Sequence, residues 1–126
     1  MIVWDLKDVL TTGRDVSGPG WNSRRLLVRS DGMGYSMNDT IILAGSEMTL
    51  EYKNHLETCY CIEGAGEIEH LAIGQIYPLA PGIFYALNEH DKHTLRASTN
   101  GDMRLVCVFN PPLEGNEAHG PDGSYS

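Results

Sequence analysis

Two short segments hold the residue types that could do chemistry. The first, Glu51-Tyr52-Lys53-Asn54-His55-Leu56-Glu57, offers a carboxylate at Glu57 and an imidazole at His55. The second begins at the phenol Tyr85 and runs to His90-Asp91-Lys92-His93. Carboxylate and imidazole are ordinary ligands for a divalent metal, and a phenolate can complete a three-ligand set. A facial set with open positions suits non-haem Fe(II), and residue type does not separate iron from zinc or manganese. Residue type also leaves open which histidine would serve, since His55, His90 and His93 all lie within these segments. Any one of these residues alone reads as ordinary: a turn carboxylate, a core aromatic, a solvated loop histidine.

The elements that must position these residues are short strands. Fourteen glycines and six prolines punctuate β-rich runs across 126 residues, enough for one domain with its own core. Strands are expected over 24–29, 35–43, 48–52, 58–63, 67–71, 75–79, 84–87, 94–97 and 104–109. Turn signals separate them at Asp31-Gly32, Asn54-His55, Glu63-Gly64-Ala65-Gly66, Pro81-Gly82 and Asn100-Gly101. A short helix over 5–10, capped by Asp5, is the one helical expectation. Strands at this density predict an all-β barrel or double sheet. Period-two alternation puts Glu57, Cys59 and Cys61 on one face, Tyr85 with Leu87, and Leu105, Cys107 and Phe109 together. Such a mixture of acid, phenol, thiol and apolar groups lines a pocket better than it fills a dry core. Arg24 and Arg25 should point to opposite faces of one strand, so one of them faces in. Residues 111–126 are loop-like and polar, and by composition alone read as a disordered tail.

Composition narrows the partners. Nine basic and seventeen acidic residues give a net charge of −8, which disfavours nucleic acid and anionic membrane. Three cysteines without C-x-x-C spacing argue against a disulfide framework and for a reducing, cytoplasmic setting. No window approaches a membrane span, and the first residues do not resemble a leader. Cys59 and Cys61 are expected to be small buried hydrophobes.

The two segments resemble the paired metal-binding hairpins of cupin barrels, whose first motif reads G-x5-H-x-H-x3-E-x6-G. Gly45, Glu57 and Gly64 are in register, while Glu51 and Lys53 stand where the histidines would be. Tyr85 replaces the histidine that follows Pro81-Gly82. The ligand set this resemblance leaves is Glu57, Tyr85 and His93. Beyond these hairpins the chain resembles the ectoine synthases over nearly its whole length. The blocks that carry this are Trp21-Asn-Ser-Arg-Arg-Leu-Leu, Asp31-Gly-Met-Gly, Tyr52-Lys-Asn-His-Leu-Glu, Tyr60-Cys-Ile-Glu-Gly, His90-Asp-Lys-His and Arg104-Leu-Val-Cys-Val-Phe-Asn-Pro-Pro-Leu.

That family resemblance implies a single cupin domain over 1–126, of the double-sheet jelly-roll type. Residues 111–126 would be a lid-like tail over the barrel mouth. It implies a head-to-tail homodimer and the cyclisation of N-γ-acetyl-L-2,4-diaminobutyrate to ectoine with loss of water. Fe(II) would be held by Glu57, Tyr85 and His93. Around the substrate it places Trp21, Arg25, Asn38, Thr40 and Tyr52, then Cys107 and Phe109 on the last strand, and Glu117 and His119 in the tail. Arg25 would clamp the substrate carboxylate, because its fork makes paired hydrogen bonds. Tyr52, Glu117 and His119 are the catalytic candidates, the last two as the base that takes the ammonium proton. Other readings of the same barrel are another metal-dependent cupin enzyme, a non-catalytic solute-binding cupin, or a structural dimeric barrel.

Overall fold

A computed structural model describes residues 1–125. It has one short helix, α1 (Leu6–Val9), and ten strands: β1 (Asp15–Gly18), β2 (Trp21–Leu27), β3 (Ser36–Ile42), β4 (Glu47–Leu50), β5 (Leu56–Glu63), β6 (Gly66–His70), β7 (Gln75–Leu79), β8 (Phe84–Leu87), β9 (His93–Ala97) and β10 (Met103–Asn110). The strands form two sheets, ordered β1-β2-β3-β10-β5-β8 and β4-β9-β6-β7, with every paired register antiparallel. This is the expected double-sheet barrel. The Asp5 carboxylate accepts from the Lys7 N–H at 3.0 Å and caps α1 as predicted.

The unforeseen strand is β1. It carries a single apolar residue and pairs only with β2 at the sheet edge, so its sequence holds no burial signal. Two motif glycines have a visible cause. Pro81 and Gly82 (φ 97°) are the central residues of a turn closed by Ile83 N–H onto the Ala80 carbonyl at 3.0 Å. Gly64 sits at φ 79°, and a Cβ there would collide with the Asp102 carbonyl and lie 2.8 Å from Met103 Cα.

The barrel interior is divided. Ile68, Leu79, Ala97 and Met103 pack an apolar floor, and Ile42, Leu95 and Leu105 lie between it and a cavity at the other end. Toward the other end of β5 and β10 the inward positions become Cys59, Glu57, Cys107 and Phe109, as the alternation predicts. The expectation for the two arginines is only half right. Arg25 is fully buried inside, but Arg24 is buried as well, at 7 % exposure. Arg24 donates to the Asp39 carboxylate at 2.7 Å and to its carbonyl at 2.9 Å, and Arg104 donates to the same carboxylate at 2.9 Å. This triad seals the outer surface of β2 and β3. Burial alone would raise the Asp39 carboxyl, but hydrogen bonds from Arg104 and Arg24 outweigh it and hold the group below its ordinary value.

The tail is ordered, contrary to its composition. Leu113 is fully buried, its N–H donates to Ser36 Oγ at 2.8 Å, and its carbonyl accepts from Arg29 N–H at 2.8 Å. Further on, Ser124 Oγ accepts from the Lys53 N–H at 3.1 Å, and Tyr125 is 4 % exposed. One apolar and one aromatic side chain thus anchor an otherwise polar segment. Among the described residues no helix is long and apolar enough to cross a membrane.

Candidate active site

The tail closes over a cavity at the polar end of the barrel. Its walls include Trp21 and Ser23 from β2, Asn38 and Thr40 from β3, Glu57 and Cys59 from β5, Tyr85 from β8 and Cys107 and Phe109 from β10. Tyr52, which follows β4, also contributes, and the lid over them is His119 and Tyr125. In this closed form the space open to water centres is about 30 Å³, so the walls must part to admit a larger molecule.

The strand pairings explain why these groups meet. Cys59 on β5 lies opposite Cys107 on β10 and opposite Tyr85 on β8, and Glu57 is two residues from Cys59 on the same inward face. Burial drives the Glu57 carboxyl up to about 7, although hydrogen bonds from the Cys59 and Cys107 thiols oppose the shift. Burial also raises the Tyr85 phenol well above its ordinary value. His93 comes from the second sheet, at the start of β9 rather than in a loop. Its Nδ1–H donates to the Asp91 carbonyl at 2.9 Å, which leaves Nε2 as the nitrogen with the free lone pair. That Nε2 is buried and has no partner. Tyr85 forms the wall between the cavity and a neighbouring one lined by His93, and the Tyr85 and His93 ring centroids are 6.4 Å apart.

The competing histidines have other surroundings. His90 Nδ1–H is shared between the carbonyls of Tyr52 at 2.7 Å and His55 at 3.1 Å, so the ring pins one loop to another. His55 packs edge-on against Phe109 and Tyr125, and its Nδ1 is, like His93 Nε2, buried without a partner, but His55 does not line the cavity.

Among the substrate candidates, Trp21, Asn38, Thr40, Tyr52, Cys107, Phe109 and His119 all line the cavity. Asn38 Oδ1 is buried without a partner. His119 Nε2 lies 2.8 Å from the Tyr52 hydroxyl, and its ring packs edge-on against Trp21 at 5.1 Å. Burial, with Arg25 and His93 nearby, lowers the His119 imidazole to about 4, so it is neutral near pH 7. Arg25 and Glu117 are held just behind the lining. Arg25 Nε donates to Ser23 Oγ at 2.8 Å, Nη2 to the Glu117 carbonyl at 2.7 Å, and Nη1 is buried without a hydrogen bond, 3.8 Å from the Glu117 carboxylate. The Glu117 carboxylate accepts the N–H groups of Glu114 at 2.6 Å and Gly115 at 2.8 Å. Burial pushes it up, but these N–H groups and Arg25 win, and it lies below its ordinary value. In this conformation it is a clasp for the tail and a weak base.

Sequence reasoning passed over three residues of this site. Tyr125 stacks on His119 (4.6 Å) and Tyr52 (5.1 Å) and sits 5.8 Å from the Arg25 guanidinium, yet nothing near a polar end of chain marks it as an anchor. Ser23 shares the inward parity of Trp21 and Arg25 on β2, a signal that could have found it. Cys59 was legible by parity but read as an inert hydrophobe.

The family model described as ectoine synthase matches residues 1–126. The chain belongs to the ectoine synthase family. It is 57% identical over 125 residues to the L-ectoine synthase of Desulfosudis oleivorans, covering 99% of this chain and 96% of that one. Its structure superposes on a crystal structure of the ectoine synthase from P. lautus with a TM-score of 0.86 and 56% identity, covering 91% of this chain and 81% of that one. A cupin-2 domain from Rhodospirillum rubrum, 17% identical, superposes with a TM-score of 0.64 over 75% of this chain and 62% of that one. That likeness concerns the fold alone: the barrel has the cupin fold.

Proposed function

We propose that the protein is an ectoine synthase, a hydro-lyase that closes N-γ-acetyl-L-2,4-diaminobutyrate into ectoine with loss of water. The observation that carries this is the family match over the full chain, on a barrel whose closed cavity combines polar side chains with aromatic walls. The reaction forms a bond from the α-nitrogen to the acetamide carbon and breaks that carbon's bond to oxygen. The ammonium starts with three protons. One is taken by a base, one passes to the departing oxygen, and the first is returned to that oxygen, so water leaves and no proton is consumed.

Several groups fit these tasks. Arg25, whose Nη1 makes no hydrogen bond and lies 3.8 Å from the Glu117 carboxylate, takes the substrate carboxylate. The Asn38 amide oxygen is a buried acceptor for the ammonium. The tail groups Glu117 and His119 are the candidates to accept and return the proton, with His119 held by the Tyr52 hydroxyl; both lie below their ordinary values in this closed form, so bound substrate must raise whichever acts. Trp21 and Phe109 exclude water, and the closed lid holds amine and acetamide together. Thr40 and Cys107 complete the wall between them.

Glu57, Tyr85 and His93 are the ligands we assign to a divalent metal, Fe(II) in the first instance, with zinc or manganese as substitutes. What supports this is a buried carboxylate whose hydrogen-bond partners are thiols, a buried phenol beside it, and an orphaned imidazole nitrogen. Bound there, the metal would supply Lewis acidity to polarise the acetamide carbonyl, with no redox step. We further place the protein in the cytoplasm, where its three free cysteines stay reduced. We expect it to serve compatible-solute synthesis under osmotic stress as a head-to-tail homodimer. Supporting the dimer, edge strand β8 exposes Phe84 at 64 % beside exposed Tyr60, its partner on β5.

The deciding experiment is turnover by protein loaded with Fe(II) without oxygen, followed by NMR with and without chelator. Ectoine that forms only with metal supports the reading. No ectoine with any metal would overturn it in favour of a solute-binding cupin. Glu57→Ala, Tyr85→Ala and His93→Ala should each lose bound metal, and full iron content in all three would remove this ligand set.

A further inference from the structure

The mechanism gives no task to the Cys59 thiol or to its pairing with Cys107. Cys59 and Cys107 face each other across β5 and β10, their Sγ atoms 3.2 Å apart, and both are almost fully buried. One Glu57 carboxylate oxygen and the two sulfurs all lie within 4.8 Å of one another. All three residues open onto the cavity, so an ion that enters past the lid reaches them together. The third cysteine, Cys61, faces inward further along β5, outside the cavity lining, and donates to the Glu63 carbonyl at 3.6 Å.

We propose that Cys59, Cys107 and Glu57 form a second cation site, one that takes a thiophilic divalent ion of the zinc type and shares Glu57 with the functional metal set. Two sulfurs and one carboxylate oxygen are a soft donor set, unlike the oxygen and nitrogen donors of Glu57, Tyr85 and His93, and softness decides which ion each set prefers. Metal–sulfur bonds of about 2.3 Å in tetrahedral geometry require the sulfurs to open by about half an ångström. The cavity's free space allows that movement. Binding converts both thiols to thiolates, and their two protons leave to solvent. The fourth position faces the cavity and is open to water.

The overlap at Glu57 has a consequence that rests on the proposed function. A carboxylate engaged with the sulfur pair is withdrawn from the Fe(II) ligands, so a thiophilic ion displaces iron rather than replacing it in kind. The sulfur site itself does not depend on that reading.

Cadmium alone is the probe, added to reduced metal-free protein under nitrogen. The expected result is a sulfur-to-cadmium charge-transfer absorption that saturates at one ion per chain. It should persist in Cys61→Ser and in His93→Ala, and vanish in the Cys59→Ser/Cys107→Ser double variant. Either single serine variant should halve the band and weaken binding by about tenfold or more. Serine keeps the size of cysteine, and a retained thermal transition shows that the variants fold. No band in the wild type, or a band retained in the double variant, overturns the site. Loss of the band in His93→Ala overturns it too, since the sulfur-bound ion would then depend on His93 and the two sets would be one. Preloading with Fe(II) should suppress the band. Simultaneous stoichiometric binding of both ions would overturn the sharing of Glu57.

Discussion

At the scale of single residues, the decisive atoms are buried polar groups left without partners. Asn38 Oδ1 and His93 Nε2 are such atoms, and Arg25 Nη1 makes no hydrogen bond and has only the Glu117 carboxylate 3.8 Å away. Unpaired buried groups are costly, which makes them pointers to something that binds. Replacing Arg25 by alanine should raise KM by about ten- to a hundredfold, the worth of a charge-assisted hydrogen bond, with bound metal unchanged. Steady-state kinetics beside metal analysis tests this, and unaltered KM would remove the clamp. His119 supports a prediction about pH. Its pKa falls from the ordinary histidine value to about 4 on closure, so the open tail binds a proton that the closed one refuses. Closure is therefore fully favourable above about pH 6.5 and loses up to about 3 kcal/mol as pH falls toward 4. Trp21 packs against His119 and reports this directly. In a Trp4→Phe background, its fluorescence should change between pH 7 and 5, and a flat profile would contradict it. Much of this was legible in sequence. Parity alone set Glu57, Cys59, Cys107 and Phe109 on inward faces. What parity could not give was partnership. That Cys59 faces Cys107, and that Glu117 turns its carboxylate onto its own loop, depend on register and loop geometry.

At the scale of elements, the tail behaves as two pieces. Residues near Leu113 belong to the core, while those from Glu117 onward close the cavity. A chain cut after Asn116 should keep its melting temperature within about 4 °C and lose most turnover, because it keeps Leu113 but not His119 or Tyr125. A cut after Pro112 removes Leu113 as well and should cost about 2–5 kcal/mol of stability. Calorimetry and kinetics on both truncations separate the roles, and full activity in the shorter cut-back would end the lid interpretation. The sequence made this segment look free because its anchors are few and lie far apart. The strands were easier to read. Tyr52 was expected within a strand, but β4 ends at Leu50, and the two residues beyond it swing the ring inward to 3 % exposure.

At the scale of the whole molecule, stability and function occupy opposite ends of one barrel. The floor is apolar and can be tested apart from the site. Gly64→Ala puts a methyl group against the Asp102 carbonyl at a left-handed position and should destabilise by more than about 2 kcal/mol. A lowered urea midpoint with unchanged KM in the surviving folded protein is the expected outcome, and an unshifted midpoint would refute it. The architecture was legible because turn glycines and alternating strands repeat along the chain, whereas the edge strand β1 was not, for want of apolar residues. The outer triad of Arg24, Asp39 and Arg104 lies back to back with the cavity wall, since Asn38 and Thr40 flank Asp39 on β3. Raising the salt to 1 M shortens the Debye length to about 3 Å and erases attraction between exposed charges such as Lys7 and Asp5. The Arg24 and Asp39 side chains are only 9 % and 8 % exposed, so counter-ions have almost no access to them. The frame behind the cavity is thereby built to hold its shape in brine, where a surface-stapled one would loosen.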